Sequence, residues 1–151
     1  MEGDSAREIE NLLYAYAERI DAGDLDGVGN LFTHGRIKSA PDAAPDGIFE
    51  GCERVAGLYL GAVRLYEDGT PRTRHVTTNA IIEAEDDAGT GSARSYYTVF
   101  QQTDDLPLQA IVCGRYHDTF HRIEGRWWFE TRVMFIDLVG NLSRHLMIEL
   151  G

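Results

Sequence analysis

At 151 residues and 16.9 kDa, with 43% hydrophobic residues, the chain can bury one sizeable core but is too short for two ordinary domains, so a single domain over residues 1–151 is expected. A formal charge of -11 and a pI near 4.7 argue against nucleic acid or an anionic membrane as partner, because both would be repelled at long range. Cys52 and Cys113 lie far apart with no CxxC and no histidine at ligand spacing, which argues against a zinc site or a disulfide framework and leaves both as small buried residues.

In chain order, the segment Arg7 to Leu25 comes first, with Ile9, Leu12, Leu13, Tyr16, Ala17 and Ile20 at the three- and four-residue spacing of one buried helix face. Gly23-Asp24 breaks it, and a second short helix is predicted over Leu25 to Phe32 with Asp24 as N-cap. Ser39 to Gly47 reads as a loop, and a third helix is predicted from Cys52 to about Tyr66, ended by Glu67 to Pro71. From Arg72 the period changes to two, giving strands over Thr73 to Glu85, Ser92 to Gln102, Leu108 to Arg122 and Arg126 to Leu138. Short turns between them mean antiparallel neighbours, so the expected fold class is α+β: a meander with three helices packed on one side. The tail, Val139 to Leu150, places Val139, Leu142, Leu146 and Leu150 on one side if helical, and must cover the domain or meet another subunit. The start Met-Glu-Gly-Asp lacks a basic and apolar leader pattern and no stretch is long enough to span a bilayer, so a cytoplasmic location is expected.

One residue breaks the apolar pattern. Asp21 lies four residues beyond Ala17 and continues the inward stripe, where a carboxylate is costly without a partner. The candidate partner is His75, in Arg74-His75-Val76-Thr77-Thr78-Asn79; strict alternation puts His75, Thr77, Asn79 and Ile81 on one face and Val76, Thr78, Ala80 and Ile82 on the other. An ordinary strand histidine would be satisfied by a backbone carbonyl; Asp21 shifts the reading toward a dyad. The carboxylate would fix the imidazole tautomer and leave the other nitrogen free as a base for proton abstraction next to a carbonyl or an activated C–H. Tyr16 on the same stripe is either an amphipathic core residue or a hydroxyl donor to substrate. Arg132 alternates into the face of Trp128 and Glu130, as a surface salt bridge or as a holder of negative charge beside the pocket. Ser95, Tyr97 and Gln101 share a strand face and are expected to line a substrate pocket. His117 and His121 lie roughly 13 Å apart on a strand, too far to share one ion, and no metal site is expected. His34 and His145, in loop or tail, are expected in solvent. No glycine-rich phosphate loop, GxSxG elbow or Ser-His-Asp spacing appears.

The run Ile9 to Asp26, the segment Arg74 to Asn79, and Gly114-Arg115-Tyr116-His117-Asp118 followed by Gly125 to Phe129 and Arg132 resemble the SnoaL-like branch of the nuclear transport factor 2 superfamily over nearly the whole chain. They look most like its dehydratase and lyase members, of the scytalone dehydratase, bile acid 7α-dehydratase and hexachlorocyclohexane dehydrochlorinase type. The resemblance implies a cone-shaped α+β barrel with its pocket between the helices and a curved antiparallel sheet. It implies Asp21 and His75 as the catalytic aspartate and histidine shared by those enzymes, with Tyr16 at the position of a tyrosine in the bile acid enzyme and a lysine in the dehydrochlorinase, and Arg132 at the arginine of those two. The second histidine of scytalone dehydratase falls near Gln101 and its paired tyrosine near Ile20, so that enzyme's substrate and mechanism do not carry over. The implied activity is a cofactor-independent lyase or dehydratase acting on a small hydrophobic cyclic or polyketide-like substrate. Open alternatives are a polyketide or terpenoid cyclase or isomerase using the same dyad, a non-catalytic small subunit of a ring-hydroxylating dioxygenase, or a ligand-binding module. The resemblance and the apolar tail imply a homo-oligomer, dimer or trimer.

Overall fold

The computed structural model describes residues 4–148. Helix α1, Ser5–Asp21, begins where the Asp4 carboxylate accepts the Arg7 N–H at 3.1 Å and buries Ile9, Leu13, Tyr16, Ala17 and Ile20. Helix α2, Leu25–Asn30, is capped by Asp24, whose side chain accepts from Gly27 N at 3.0 Å. It stops short of the predicted Phe32, and Phe32 is fully buried in the following turn. Helix α3, Cys52–Ala62, ends four residues before the predicted Tyr66, because Val63 turns extended and bridges Leu146 of the tail. Both cysteines are free and half-buried, rather than buried as expected; the Cys52 thiol donates to Asn30 Oδ1 at 3.1 Å.

Three helices pack on one side of a curved six-stranded sheet of order β2-β1-β6-β5-β4-β3. The long strands β3 (Thr73–Glu85), β4 (Thr90–Thr103), β5 (Leu106–Ile123) and β6 (Arg126–Val139) form the expected antiparallel meander. Two short strands, β1 (Arg36–Lys38) and β2 (Ile48–Glu50), extend it beyond β6, with β1 parallel to β6. Three residues carry too little periodicity to be read as strands; it is the free edge of β6 that orders them. The tail is not helical: it makes a turn over Ser143–His145 and returns to the end of α3, while Leu150 lies outside the described residues.

Two bulges decide which side chains face the helices. In β3, Thr78 pairs with Tyr96 but Ile81 with Arg94, and the extra residue is taken up by Asn79 at φ 56°. The alternation inverts there, so His75 and Thr77 share the inner face with Ala80 and Ile82 instead of Asn79 and Ile81. In β6, Thr131 pairs with Thr119 but Phe129 with Phe120, leaving Glu130 as the extra residue. Arg132 therefore joins Trp127 and Phe129 in the interior, not Trp128 and Glu130 as strict alternation predicted. Inside, Tyr97 stacks on Tyr116 with ring centroids 4.4 Å apart and its hydroxyl donates to Phe135 O at 2.9 Å. This close approach requires Gly114, where a Cβ would lie 2.5 Å from the Tyr97 hydroxyl oxygen. Among the described residues no helix is long and apolar enough to cross a membrane.

Candidate active site

Asp21 is the last residue of α1, and the chain reverses immediately after it. Gly23, at φ 76°, makes the reversal; a Cβ there would lie 1.8 Å from the carbonyl oxygen of Gly69, so only glycine lets the loop after α3 lie against the helix end. The same packing brings the start of β3, the edge strand of the sheet, alongside the carboxylate. Asp21 Oδ1 accepts from the Thr73 hydroxyl at 2.9 Å and pairs with His75 Nδ1 at 2.7 Å, while Oδ2 accepts the His75 backbone N–H at 2.8 Å. Three hydrogen bonds to one carboxylate offset its partial desolvation: the Asp21 side chain is 12% exposed and that of His75 8%. An ionised carboxylate only accepts, so the proton sits on Nδ1. His75 Nε2 makes no hydrogen bond among the described residues and is not sealed in the interior. A cleft of about 470 Å³ opens beside it between α1 and β3, walled by Tyr14, Ala17, Glu18, Arg74 and Thr77.

Deeper in the cone lies a second group. Arg132 is fully buried and forms a two-pronged pair with Asp118, Nε to Oδ1 at 2.8 Å and Nη2 to Oδ2 at 3.0 Å. Burial opposes the arginine charge, but Asp118 and the surrounding tyrosine hydroxyls outweigh it and hold the guanidinium above its ordinary range. The guanidinium carbon lies 3.6 Å from the Tyr116 ring centroid and 4.2 Å from that of Tyr16, two cation-π contacts from rings set at 76° to each other, and Nη1 has no hydrogen-bond partner among the described residues. Tyr16 hydrogen-bonds Tyr59, and burial raises the pKa of both hydroxyls, and of Tyr116, above the ordinary phenol range. The structure thus brings the four predicted residues together as two pairs, Asp21 with His75 and Tyr16 with Arg132. The pairs are separated along α1 by five residues, about 7.5 Å of helix rise.

The remaining predicted residues fall on the inner face as a set. Ser95, Tyr97 and Gln101 are all buried, and the Ser95 hydroxyl has no hydrogen-bond partner among the described residues. Gln101 has a holding role: its Nε2 donates to Pro71 O and to Arg144 O, both at 3.0 Å, which ties the start of β3 to the tail. His117 and His121 face outward, and His121 Nε2 meets the His34 carbonyl at 2.9 Å. His34 is exposed as expected, but His145 is not: only 6% exposed, its ring centroid lies 6.2 Å from that of His75. The turn at Ser143–His145 folds it inward, a path that no periodicity in the tail announces. Asp118 and Tyr116 did carry a signal, since Tyr116, Asp118 and Phe120 alternate onto one apolar face and set an acid there by the logic that picks out Asp21. Tyr59 lies on the apolar stripe of α3 but has no such polar contrast beside it.

Burial and the neighbouring His75 depress the His145 pKa from 6.5 to about 4, with Asp21 opposing. The sign of the pH effect follows. The unfolded chain takes up this proton as pH falls below about 6.5 while the folded chain does not, so stability is full above that pH and falls toward pH 4. The expected loss is about 3 kcal/mol. Urea midpoints from pH 7 to 4 should fall more steeply for the unaltered protein than for His145→Asn; parallel slopes would rule this out.

Helices packed on the concave side of a curved, mostly antiparallel sheet define a cystatin-like fold of the nuclear transport factor 2 superfamily. The chain matches the SnoaL-like domain over residues 2–133 and belongs to that family. A protein of unknown function with a cystatin-like fold from Nostoc punctiforme is 24% identical, with TM-score 0.71 over 94% of this chain and 99% of that one. A provisional scytalone dehydratase from Novosphingobium aromaticivorans is 21% identical, with TM-score 0.66 over 89% and 85% of the two chains. The β subunit of a provisional aromatic-ring-hydroxylating dioxygenase from the same organism is 19% identical, with TM-score 0.70 over 95% and 97%. At these identities the likeness is one of fold. No curated protein matches the chain.

Proposed function

We propose that this protein is a cofactor-independent lyase, a dehydratase of a small hydrophobic cyclic or polyketide-like molecule, with His75 as its base. The observation that carries this reading is the 2.7 Å contact of Asp21 with His75 Nδ1, which leaves Nε2 free beside a cleft. Nε2 takes a proton from a carbon next to a carbonyl. The electron pair left on carbon forms the double bond as the neighbouring C–O bond breaks, and the departing hydroxyl takes a proton from the imidazolium and leaves as water. Asp21 supports the positive charge while it exists. Tyr16 and Arg132, expected from the sequence to serve the oxygen on which negative charge collects, are buried deeper in the cone and do not wall this cleft.

The first half of this chemistry is testable without the physiological substrate. The benzo-fused ketone 2-tetralone has acidic hydrogens next to its carbonyl, and their exchange in D2O is read by proton NMR. The protein is expected to accelerate the exchange, and His75→Ala to lower the acceleration by roughly 10²–10⁴-fold while melting cooperatively. Equal acceleration by the variant would rule out His75 as the base. A cyclase or isomerase begins with the same proton transfer, so both remain within the proposal. A non-catalytic subunit role, to which the dioxygenase likeness points, predicts no acceleration. As partners we propose the substrate and further copies of this chain, dimer or trimer, on the surface that leaves Ile136, Leu138 and Val139 exposed.

A further inference from the structure

His145 has no explanation as a packing residue. A leucine or phenylalanine would fill its place without a polar atom to satisfy, whereas His145 is buried and its Nδ1 has no hydrogen-bond partner among the described residues. Its backbone is held from both sides. Arg64 N–H donates to the His145 carbonyl at 2.8 Å, Met147 N–H to Ala62 O at 2.8 Å, and Leu146 bridges Val63. One residue earlier, Arg144 O accepts from Gln101 Nε2 and from the Tyr66 hydroxyl, and the Arg144 guanidinium meets Asp105 at 3.0 Å. A second partnerless atom, Gln101 Oε1, belongs to the side chain that grips this turn. The tail is thus anchored by α3, by β4 and by the turn after it, with His145 fixed at the centre of those anchors. Pre-positioning of this kind is what a binding group requires and a loose tail does not supply.

The two imidazoles meet edge to face, 66° between planes, with centroids 6.2 Å apart. At that separation their nitrogens do not hydrogen-bond each other directly, and one bridging polar atom fits the chemistry of both. The rings also differ in support: His75 has the Asp21 carboxylate, and among the described residues His145 has no carboxylate hydrogen-bonded to it. We propose that His145 is a substrate-binding residue of this same site, hydrogen-bonding an oxygen of the substrate beside the carbon from which His75 takes its proton. This rests on the proton-transfer reading above and adds to it: the substrate carries an oxygen within one or two bonds of the acidic carbon, as a cyclic ketone or its hydroxylated relative does. Burial and His75 keep His145 neutral at neutral pH, so it contributes one donor and one acceptor and does not compete with His75 for the proton.

The test uses the whole protein with histidine rings labelled with ¹⁵N and 2-tetralone as the probe. On addition of the ketone the His145 Nδ1 resonance is expected to move together with that of His75 Nε2. His145→Leu should raise the half-saturating concentration of ketone at least tenfold, and His145→Asn, which places an amide near Nδ1, should recover most of that loss. Melting curves of both variants confirm that they are folded. If His145→Leu exchanges the ketone like the unaltered protein and the His145 resonance does not move, the proposal fails and the His75 mechanism stands. It fails also if the Leu variant is slow but Asn does not rescue it and the resonance is unmoved, since that pattern marks packing alone. If the unaltered protein neither accelerates exchange nor shows a shift at either ring, the proton-transfer reading falls and this one with it.

Discussion

Asp21→Asn is expected to reduce proton abstraction nearly as far as removing His75, by roughly 10²–10⁴-fold, although the substitution changes one atom. The carboxylate accepts from Thr73, from the His75 N–H and from His75 Nδ1. An asparagine amide retains one oxygen acceptor and points two N–H donors at groups that are themselves donors. His75 can then answer the amide only by presenting a bare Nδ1, which moves its proton to Nε2 and blocks the nitrogen proposed as the base. The imidazolium also loses its counter-charge. The measurements are the 2-tetralone exchange rate and the tautomer of His75 read from its ring ¹⁵N shifts. A fast variant with Nε2 protonated would show that the dyad does not carry the reaction. Stability should fall by about 1.5–3 kcal/mol from the lost charge-assisted bonds, small enough that the variant remains folded and the two effects separate.

The second large effect concerns the fold. Arg132→Met is expected to cost about 3–5 kcal/mol, because it leaves the Asp118 carboxylate, fully buried beneath it, without its counter-charge. In a domain whose total stability is roughly 5–15 kcal/mol that is a large fraction. Asp118→Leu should cost a similar amount by stranding the guanidinium. Arg132→Met with Asp118→Leu should cost much less than the two together, since neither charge is then abandoned. Urea denaturation of the four proteins closes the cycle, and strict additivity would mean that the pair does not act as a unit. Among the described residues Arg132 Nη1 has no hydrogen-bond partner, and the guanidinium instead faces the Tyr16 and Tyr116 rings.

Much of the architecture was legible because the helices and long strands are amphipathic. The α1 stripe, the four strands and their Asp-, Gly- and Glu-Gly turns follow from period and turn chemistry, and Asp21 is conspicuous as the acid at the end of an apolar face. The pairing of Asp21 with His75 was legible as well, from polar groups at two inward positions with no local partner. The helix ends were less legible, since α3 stops at Ala62 only because the tail bridges Val63. Arg132 marks a different limit. Its side of the sheet depends on whether Glu130 is counted, and a bulge inserts one residue without changing the composition of the strand. Only Asn79, a residue type that tolerates positive φ, gave any local hint of the matching bulge in β3.

By itself the sequence determined the α+β class, the inward positions of Asp21 and His75, and the inward set Ser95, Tyr97 and Gln101, because these follow from the periodicity of the elements and from the cost of burying polar groups. The tertiary structure alone decided that Arg132 lies inside against Asp118, that Tyr16 meets Tyr59, and that a tail histidine stands beside His75. Those outcomes depend on where strands bulge and where a turn returns. They are set by long-range hydrogen bonds among β3, β6, α3 and the tail, which no window of sequence contains.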